Sequence, residues 1–410
     1  MFRAVLAAMI AASPSLALAY GLKTTSTGET LRWPDGEIAI EVALEGGPSE
    51  VTDASAVAAT DAAAASWRDA LVGSGSSLAI TASSGAVISG DGVTSLRWAL
   101  DEEDPSIDVG LLATTHVAYQ VADGEIQEAD VVVNAAEFGW TTTTGGCLDS
   151  YDLQSTLTHE FGHLLGLAHS DDPAATMFTT GTQCEILKRD LLDDDVAGVD
   201  HLYFDLPPPG GIPPSPVVSC TAGGGAGRLS ALFVAIAVLG LARRRVACVA
   251  LLLACSAAPA RAAELRLLEL AELGARADLV VRGQVIATAT APDELATDAD
   301  VSVTECLAGE CPAGLQIRRR GGEQGGRGLL VDGEAELRPG QEVVLYLRAR
   351  PDRPYAVIGG VQGALRVVRH DGRLHAARDL RGHRVLSAAG WRRGGIELAS
   401  LAEVRRSAAR

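Results

Sequence analysis

Eleven residues, His159-Glu160-Phe161-Gly162-His163-Leu164-Leu165-Gly166-Leu167-Ala168-His169, constrain this chain more than any other stretch. His159 and His163 are four apart, so on a helix both imidazoles project from one face and can chelate one ion. Glu160 follows the first of them and leans over the same ion, where its carboxylate can take a proton from water. Gly166 can adopt a positive φ, which ends the helix and swings His169 round as a third ligand. Three neutral nitrogens leave a fourth position open, the arrangement of a catalytic zinc. Three surface histidines or a closed structural zinc site are the competing readings. A closed site needs a fourth protein ligand, and no Cys lies close in sequence to supply one. From this chain's own His, Glu and Gly frequencies, the pattern is expected by chance about 10⁻⁵ times per chain.

The rest of the chain divides around this stretch. Arg3, the apolar run Val5 to Ala12 and the small-x-small site Ala17-Leu18-Ala19 predict a secretory signal peptide over residues 1–19, and export makes disulfides permissible. Strands are expected at Ile38–Val42, Leu78–Thr81, Thr94–Ala99, Leu112–Val121 and Ile126–Asn134, the last two joined by an Asp123-Gly124 turn. Helices are expected at Asp53–Leu71, burying Val57 and Trp67, at Leu153–Leu167 and at Asp193–Tyr203. Strands followed by helices predict an α+β domain over residues 20–206, closed by a Pro/Gly linker at 207–219. Residues 20–206 hold 6 Lys/Arg against 32 Asp/Glu, a net −26, whereas 207–410 hold 27 against 20, a net +7. One domain rarely carries such opposite halves, and the overall −18 argues against a nucleic-acid partner.

The wording around His159–His169 resembles the metzincin metallopeptidases and, within them, the matrixins, the matrix metalloproteinase family. Ala174-Ala175-Thr176-Met177-Phe178 is similar to their Met-turn, with Met177 at its centre. Glu128–Asn134 and Trp140 are similar to the family's last strand, and Asp194–Tyr203 to its C-terminal helix. The resemblance covers roughly residues 30–206, about 43% of the chain. It implies a metzincin-type catalytic domain with a five-stranded twisted sheet and three helices, one catalytic zinc on His159, His163 and His169, and Glu160 as base. It also implies a protein or peptide substrate bound antiparallel along an edge strand, which by chain order is Leu112–Val121. The departures are specific. No Cys precedes Cys147, so latency through an upstream cysteine is not expected. The Leu96–Glu128 interval is short, with His116 its only histidine, which leaves no loop for a second zinc. After Met177 the family's Pro and Tyr are replaced by Thr179-Thr180-Gly181. The acidic loop Asp101–Asp104 reads either as a calcium site or as a solvated charged face. Cys147 and Cys184 flank the helix and Met-turn and are expected to pair, worth about 3–4 kcal/mol in the chain-entropy model.

Cys220, the apolar run Leu229–Ala242 and Arg243-Arg244-Arg245 make residues 220–245 similar to the Cys–hydrophobic–Arg sorting tails of exported bacterial proteins, the MYXO-CTERM kind. Residues 246–262 then read as a second signal-like apolar segment ending Ala260-Arg261-Ala262. Membrane contact is expected through 229–260, with the arginine triplet on the cytoplasmic side. Residues 263–410 alternate as short strands, at Ala277–Val285, Asp300–Thr304, Leu315–Arg319, Glu342–Leu347 and Tyr355–Ile358, which suits a small all-β barrel of OB-like form. Cys306 and Cys311 either pair or stay free, and Arg318–Arg320 read as a solvated face. Residues 246–410 therefore read as a second, unrelated exported protein fused to the first, an independent envelope domain; the alternative, raised by the opposite charges of the halves, is contact between 263–410 and the first domain as an inhibitor or docking module. The sequence thus predicts an exported zinc endopeptidase, secreted or anchored to a bacterial envelope. Its alternative is an envelope-anchored binding protein with a non-catalytic metal site, against which retention of Glu160 speaks.

Overall fold

The computed structural model describes residues 19–83, 90–204 and 265–408, apart from 103, 146, 148, 180–182, 293, 351–352, 371, 381–383, 388–389 and 394–395. The expected signal peptide, linker, sorting tail with Cys220 and second apolar segment all lie outside these residues. Among the described residues no helix is long and apolar enough to cross a membrane.

The first half is a mixed α+β unit. Its own five strands are β1 (Gly36–Ala43), β2 (Ser76–Ala82), β3 (Ser95–Ala99), β4 (Ala113–Gln120) and β5 (Ile126–Asn134), and they lie side by side in the order β2-β1-β3-β5-β4. All are parallel except β4, which runs antiparallel to β5. β5 carries Ala129, Val131, Val132 and Val133 buried on both faces, as a central strand covered on both sides must. Helices α1 (Asp53–Ala70), α2 (Leu153–Leu164) and α3 (Asp193–Tyr203) pack around the sheet and complete a core of Trp67, Trp140, Leu153, Leu157, Phe161 and Met177. The Thr52 side chain caps α1 by accepting from the Ser55 amide.

Val57 does not join that core. It is 38% exposed, while Ala56, Ala59, Thr60, Ala63, Ala64 and Trp67 are buried. These six follow a three-to-four-residue spacing ending at the large indole, and Val57 sits about 100° round the helix from Ala56.

In the second half, β6 (Leu279–Thr290), β7 (Ala296–Ala308), β8 (Gly314–Arg320), β11 (Glu342–Arg350) and β12 (Arg353–Val357) pair in the order β6-β7-β8-β12-β11, and β11 pairs back onto β6 to close a ring. Val281, Val285, Ile317 and Leu345 fill its interior. Strands Ala364–His370, Arg373–Asp379 and Ile396–Ser400 extend the sheet from β11. Cys306 and Cys311 pair.

The hairpin β9 (Gly322–Gln324) and β10 (Arg327–Val331) leaves this ring and joins the sheet of the first half, where β10 pairs antiparallel with β4. The strand expected to be the free edge is therefore paired on both sides and buried along all but its last residue. Other contacts join the halves. Leu267 and Leu380 pack with Ile107, Leu111 and Val132. Asp108 pairs with Arg320 (2.7 Å) and Glu137 with Arg276 (3.1 Å). Arg320, expected on a solvated face, instead bridges Asp108 and Glu334, because a guanidinium held between two carboxylates is well solvated by protein.

Candidate active site

α2 begins where Asp152 accepts from the Ser155 amide (2.8 Å), a cap that Arg189 braces by an ion pair to the same carboxylate. The helix stops at Leu164, three residues before the expected Leu167. Gly166 follows at φ +102°, and a Cβ there would lie 2.2 Å from the Leu31 carbonyl oxygen. Only glycine fits both the left-handed backbone and that approach. The turn brings His169 back over the helix.

The three rings converge. Nε2 of His169 lies 3.0 Å from Nε2 of His159 and 2.9 Å from Nε2 of His163. Two backbone carbonyls fix the tautomers: Nδ1 of His159 donates to Thr176 (2.8 Å) and Nδ1 of His163 to Leu167 (2.9 Å). With Nδ1 protonated, Nε2 of each ring presents a lone pair to the centre. Lone pairs turned on one another at this distance repel unless a cation lies among them, and three imidazole nitrogens are a donor set that suits zinc. Burial drives His159 and His169 well below the ordinary imidazole range, helped by Lys188 at the first and by His163 at the second. Burial likewise pushes His163 down to about 4, against the opposing pull of Asp332. All three are held in the neutral form that coordinates metal.

Glu160 is buried beside the triad, its Oε2 accepting from the Thr115 hydroxyl on β4. Met177 lies fully buried beneath α2. A Cβ on Gly162 would meet its sulfur at 2.1 Å and the Trp67 ring at 2.9 Å, so this helical position has no room for a side chain. The Met-turn is clamped by Asp195 on α3, whose carboxylate accepts from the amides of Thr176 and Met177 (2.8 Å each). Cys147 and Cys184 form a disulfide, Cα to Cα 5.5 Å, that ties the approach to α2 to the segment after the Met-turn. Thr180 and Gly181 fall outside the described residues. Asp104 of the acidic loop holds Arg97 through two bonds (2.7 and 3.0 Å).

Four polar residues at the site were not singled out by sequence reasoning. Thr115 and Asp195 are described above. Lys188 is buried with Nζ 3.4 Å from Nδ1 of His159 and donates to the Phe178 carbonyl (2.5 Å). Lys23 is buried with its ammonium 2.6 Å from Asp332 of the second half. The available signal was scarcity, since Lys23 and Lys188 are two of only six cations in residues 20–206.

Comparison with known proteins follows the same segment. The Matrixin family model matches residues 98–204, which take in β4, β5, α2 and α3. Matrix metalloproteinase-20 of Homo sapiens is 40% identical over 87 residues, 21% of this chain and 17% of that protein. Neutrophil collagenase of Homo sapiens is 41% identical over 68 residues, 17% of this chain and 14% of that protein. Matrix metalloproteinase-27 of Tupaia belangeri is 40% identical over 68 residues, covering 17% and 12%. The chain thus spans less than a fifth of the length of these curated relatives.

Proposed function

We propose, from the match of residues 98–204 to the Matrixin family, that this chain is an exported zinc endopeptidase hydrolysing peptide bonds in proteins outside the cytoplasm. The observation that carries the reading is the convergence of three Nε2 atoms beside a buried carboxylate on the same helix. His159, His163 and His169 would hold the zinc, which when bound would supply Lewis acidity, acidifying water and polarising a carbonyl. Glu160 takes the proton of the attacking water on its carboxylate and returns it to the leaving amine. Thr115 orients that carboxylate through its hydroxyl. Gly166 and the Met-turn hold the third ligand and the helix in place, and exclusion of water around the buried rings strengthens each of these interactions.

Residues 20–206 serve as the catalytic unit and 263–410 as a separate β-rich unit of small-barrel form. Export is supported by the two disulfides. Asp194 Oδ1 accepts from the amides of Ala19 (2.6 Å) and Tyr20 (3.1 Å), and cleavage between those two residues would leave the new Tyr20 ammonium on that carboxylate.

The test uses full-length protein and fluorescein-labelled casein. Cleavage should vanish on chelation and return with one equivalent of zinc. Glu160→Gln should keep one zinc per chain and lose about a hundredfold or more of the rate. His163→Ala should lose the zinc. Undiminished cleavage by Glu160→Gln would overturn the mechanism.

A further inference from the structure

β4 passes Glu160, since its Thr115 hydroxyl bonds that carboxylate. A polypeptide that is to reach the triad in extended form has to lie along the outer edge of β4, where backbone N–H and C=O groups offer the pairing of a missing strand. In this structure that edge is taken. β10 lies on it antiparallel, from Arg327 opposite Gln120 to Val331 opposite His116. The Val121 amide donates to the Gly326 carbonyl (2.8 Å), so by antiparallel alternation Tyr119–Gly328 and Val117–Leu330 are the hydrogen-bonded pairs.

The hairpin is held at both ends. Near its turn, Glu323 accepts from the Ser26 amide (2.8 Å) and the Tyr119 hydroxyl (2.9 Å). In the middle, Leu330 packs against the core of the first half. The ladder ends at Val331 opposite His116, and the carbonyl of the next residue, Asp332, accepts from Thr114 Oγ1 (3.3 Å). The Asp332 carboxylate is buried and held 2.6 Å from the Lys23 ammonium. The Lys23 amide in turn donates to the Gly166 carbonyl (2.9 Å) at the turn that positions His169. After Asp332 the chain leaves, with the Gly333 carbonyl accepting from Val361 of its own half (3.0 Å).

We infer that the hairpin Gly322–Val331 together with Asp332 is a built-in inhibitor, a strand of the second half that occupies the substrate edge of β4 and is latched there by the buried Asp332–Lys23 ion pair. This rests on the peptidase reading above. A substrate and β10 cannot pair with the same edge, so cleavage requires the hairpin to lift. The hairpin is not a strand of the ring β6-β7-β8-β12-β11 and is tied to it at its base, where the Glu323 carbonyl accepts from Thr290 Oγ1 (2.9 Å), so β10 can leave β4 without opening the second half's core.

The experiment takes the full-length, zinc-loaded chain and two variants. Leu330→Pro removes a ladder amide and Asp332→Ala removes the ion pair that latches the hairpin to Lys23. Backbone hydrogen exchange of Val117 and Tyr119 and cleavage of fluorescein-labelled casein are read together. In the unaltered chain both amides should be protected and cleavage slow. Leu330→Pro should deprotect them, and each variant should cleave at least about tenfold faster, as expected when the competent fraction rises from a tenth or less. Fast exchange of Val117 and Tyr119 in the unaltered chain would overturn the inference whatever the activity. So would equal cleavage by the unaltered chain and both variants. If zinc binds and the amides respond to Leu330→Pro but no form cleaves casein, the peptidase reading fails, and the inhibitory role falls with it. Should Leu330→Pro not fold, Asp332→Ala decides by the same rate comparison.

Discussion

Two backbone carbonyls, those of Thr176 and Leu167, decide which nitrogen of His159 and His163 carries the proton, and so turn both Nε2 lone pairs inward. The spacing of His159, Glu160, His163 and His169 was fully legible because it is local: four residues make a helical turn and Gly166 ends it. Their partners were not, because each comes from an element distant in sequence, as Thr115, Asp195 and Lys188 do. His116 illustrates the residue scale away from the triad. It is buried, its Nε2 donates to the Ser106 carbonyl (2.8 Å), and burial first, then the Arg320 guanidinium, pushes it down to about 3. An unfolded histidine takes its proton near pH 6.5, so between there and about pH 3 the unfolded state holds one more proton and stability falls with acidification. His116→Gln should therefore flatten the decline of unfolding free energy between pH 6 and pH 4 by up to about 1.4 kcal/mol per pH unit, read by urea unfolding at several pH values. Parallel slopes in the two proteins would show that His116 is not buried neutral.

Among elements, α2 is positioned by what lies under it. Met177 and Trp67 fill the space that the absent Gly162 side chain leaves, and Asp195 holds the Met-turn by two amides that otherwise have no partner in the turn. Asp195→Ala should cost about 2–3 kcal/mol, the desolvation of buried donors left unpaired. It should also weaken zinc by roughly tenfold or more, because Thr176 orients His159 from behind. Urea unfolding with and without zinc, and competition with a chromophoric chelator, measure the two effects. Unaltered zinc affinity would detach the Met-turn from the site. Most elements of the first half were readable from apolar runs and turn signals. Val57 was misassigned because a run of alanines gives almost no contrast between the faces of α1. β9 and β10 went unread since Gly-Gly-Glu-Gln-Gly-Gly-Arg-Gly has the composition of a loop, and its pairing partner lies some two hundred residues earlier.

For the whole molecule, the opposite charges of the two halves meet in specific pairs. Arg320 lies between Asp108 and Glu334, and Glu137 faces Arg266 and Arg276. The charge asymmetry was visible in the sequence; its geometry was not, because no local pattern records which arginine crosses to which carboxylate. Arg320→Ala leaves two half-buried carboxylates facing each other and should destabilise the docked halves by about 2–3 kcal/mol, less than for a fully buried pair. An unchanged urea midpoint would mean that the ion pair contributes nothing to docking. The central claim is that the His159–His163–His169 cluster holds a zinc at which Glu160 drives peptide hydrolysis. It is tested most directly with the hairpin released, by comparing casein cleavage per bound zinc in full-length Leu330→Pro and in the Leu330→Pro, Glu160→Gln double variant. One zinc per chain in both, with a rate lower by about a hundredfold or more in the double variant, is the expected result. Equal rates at equal zinc content would contradict it.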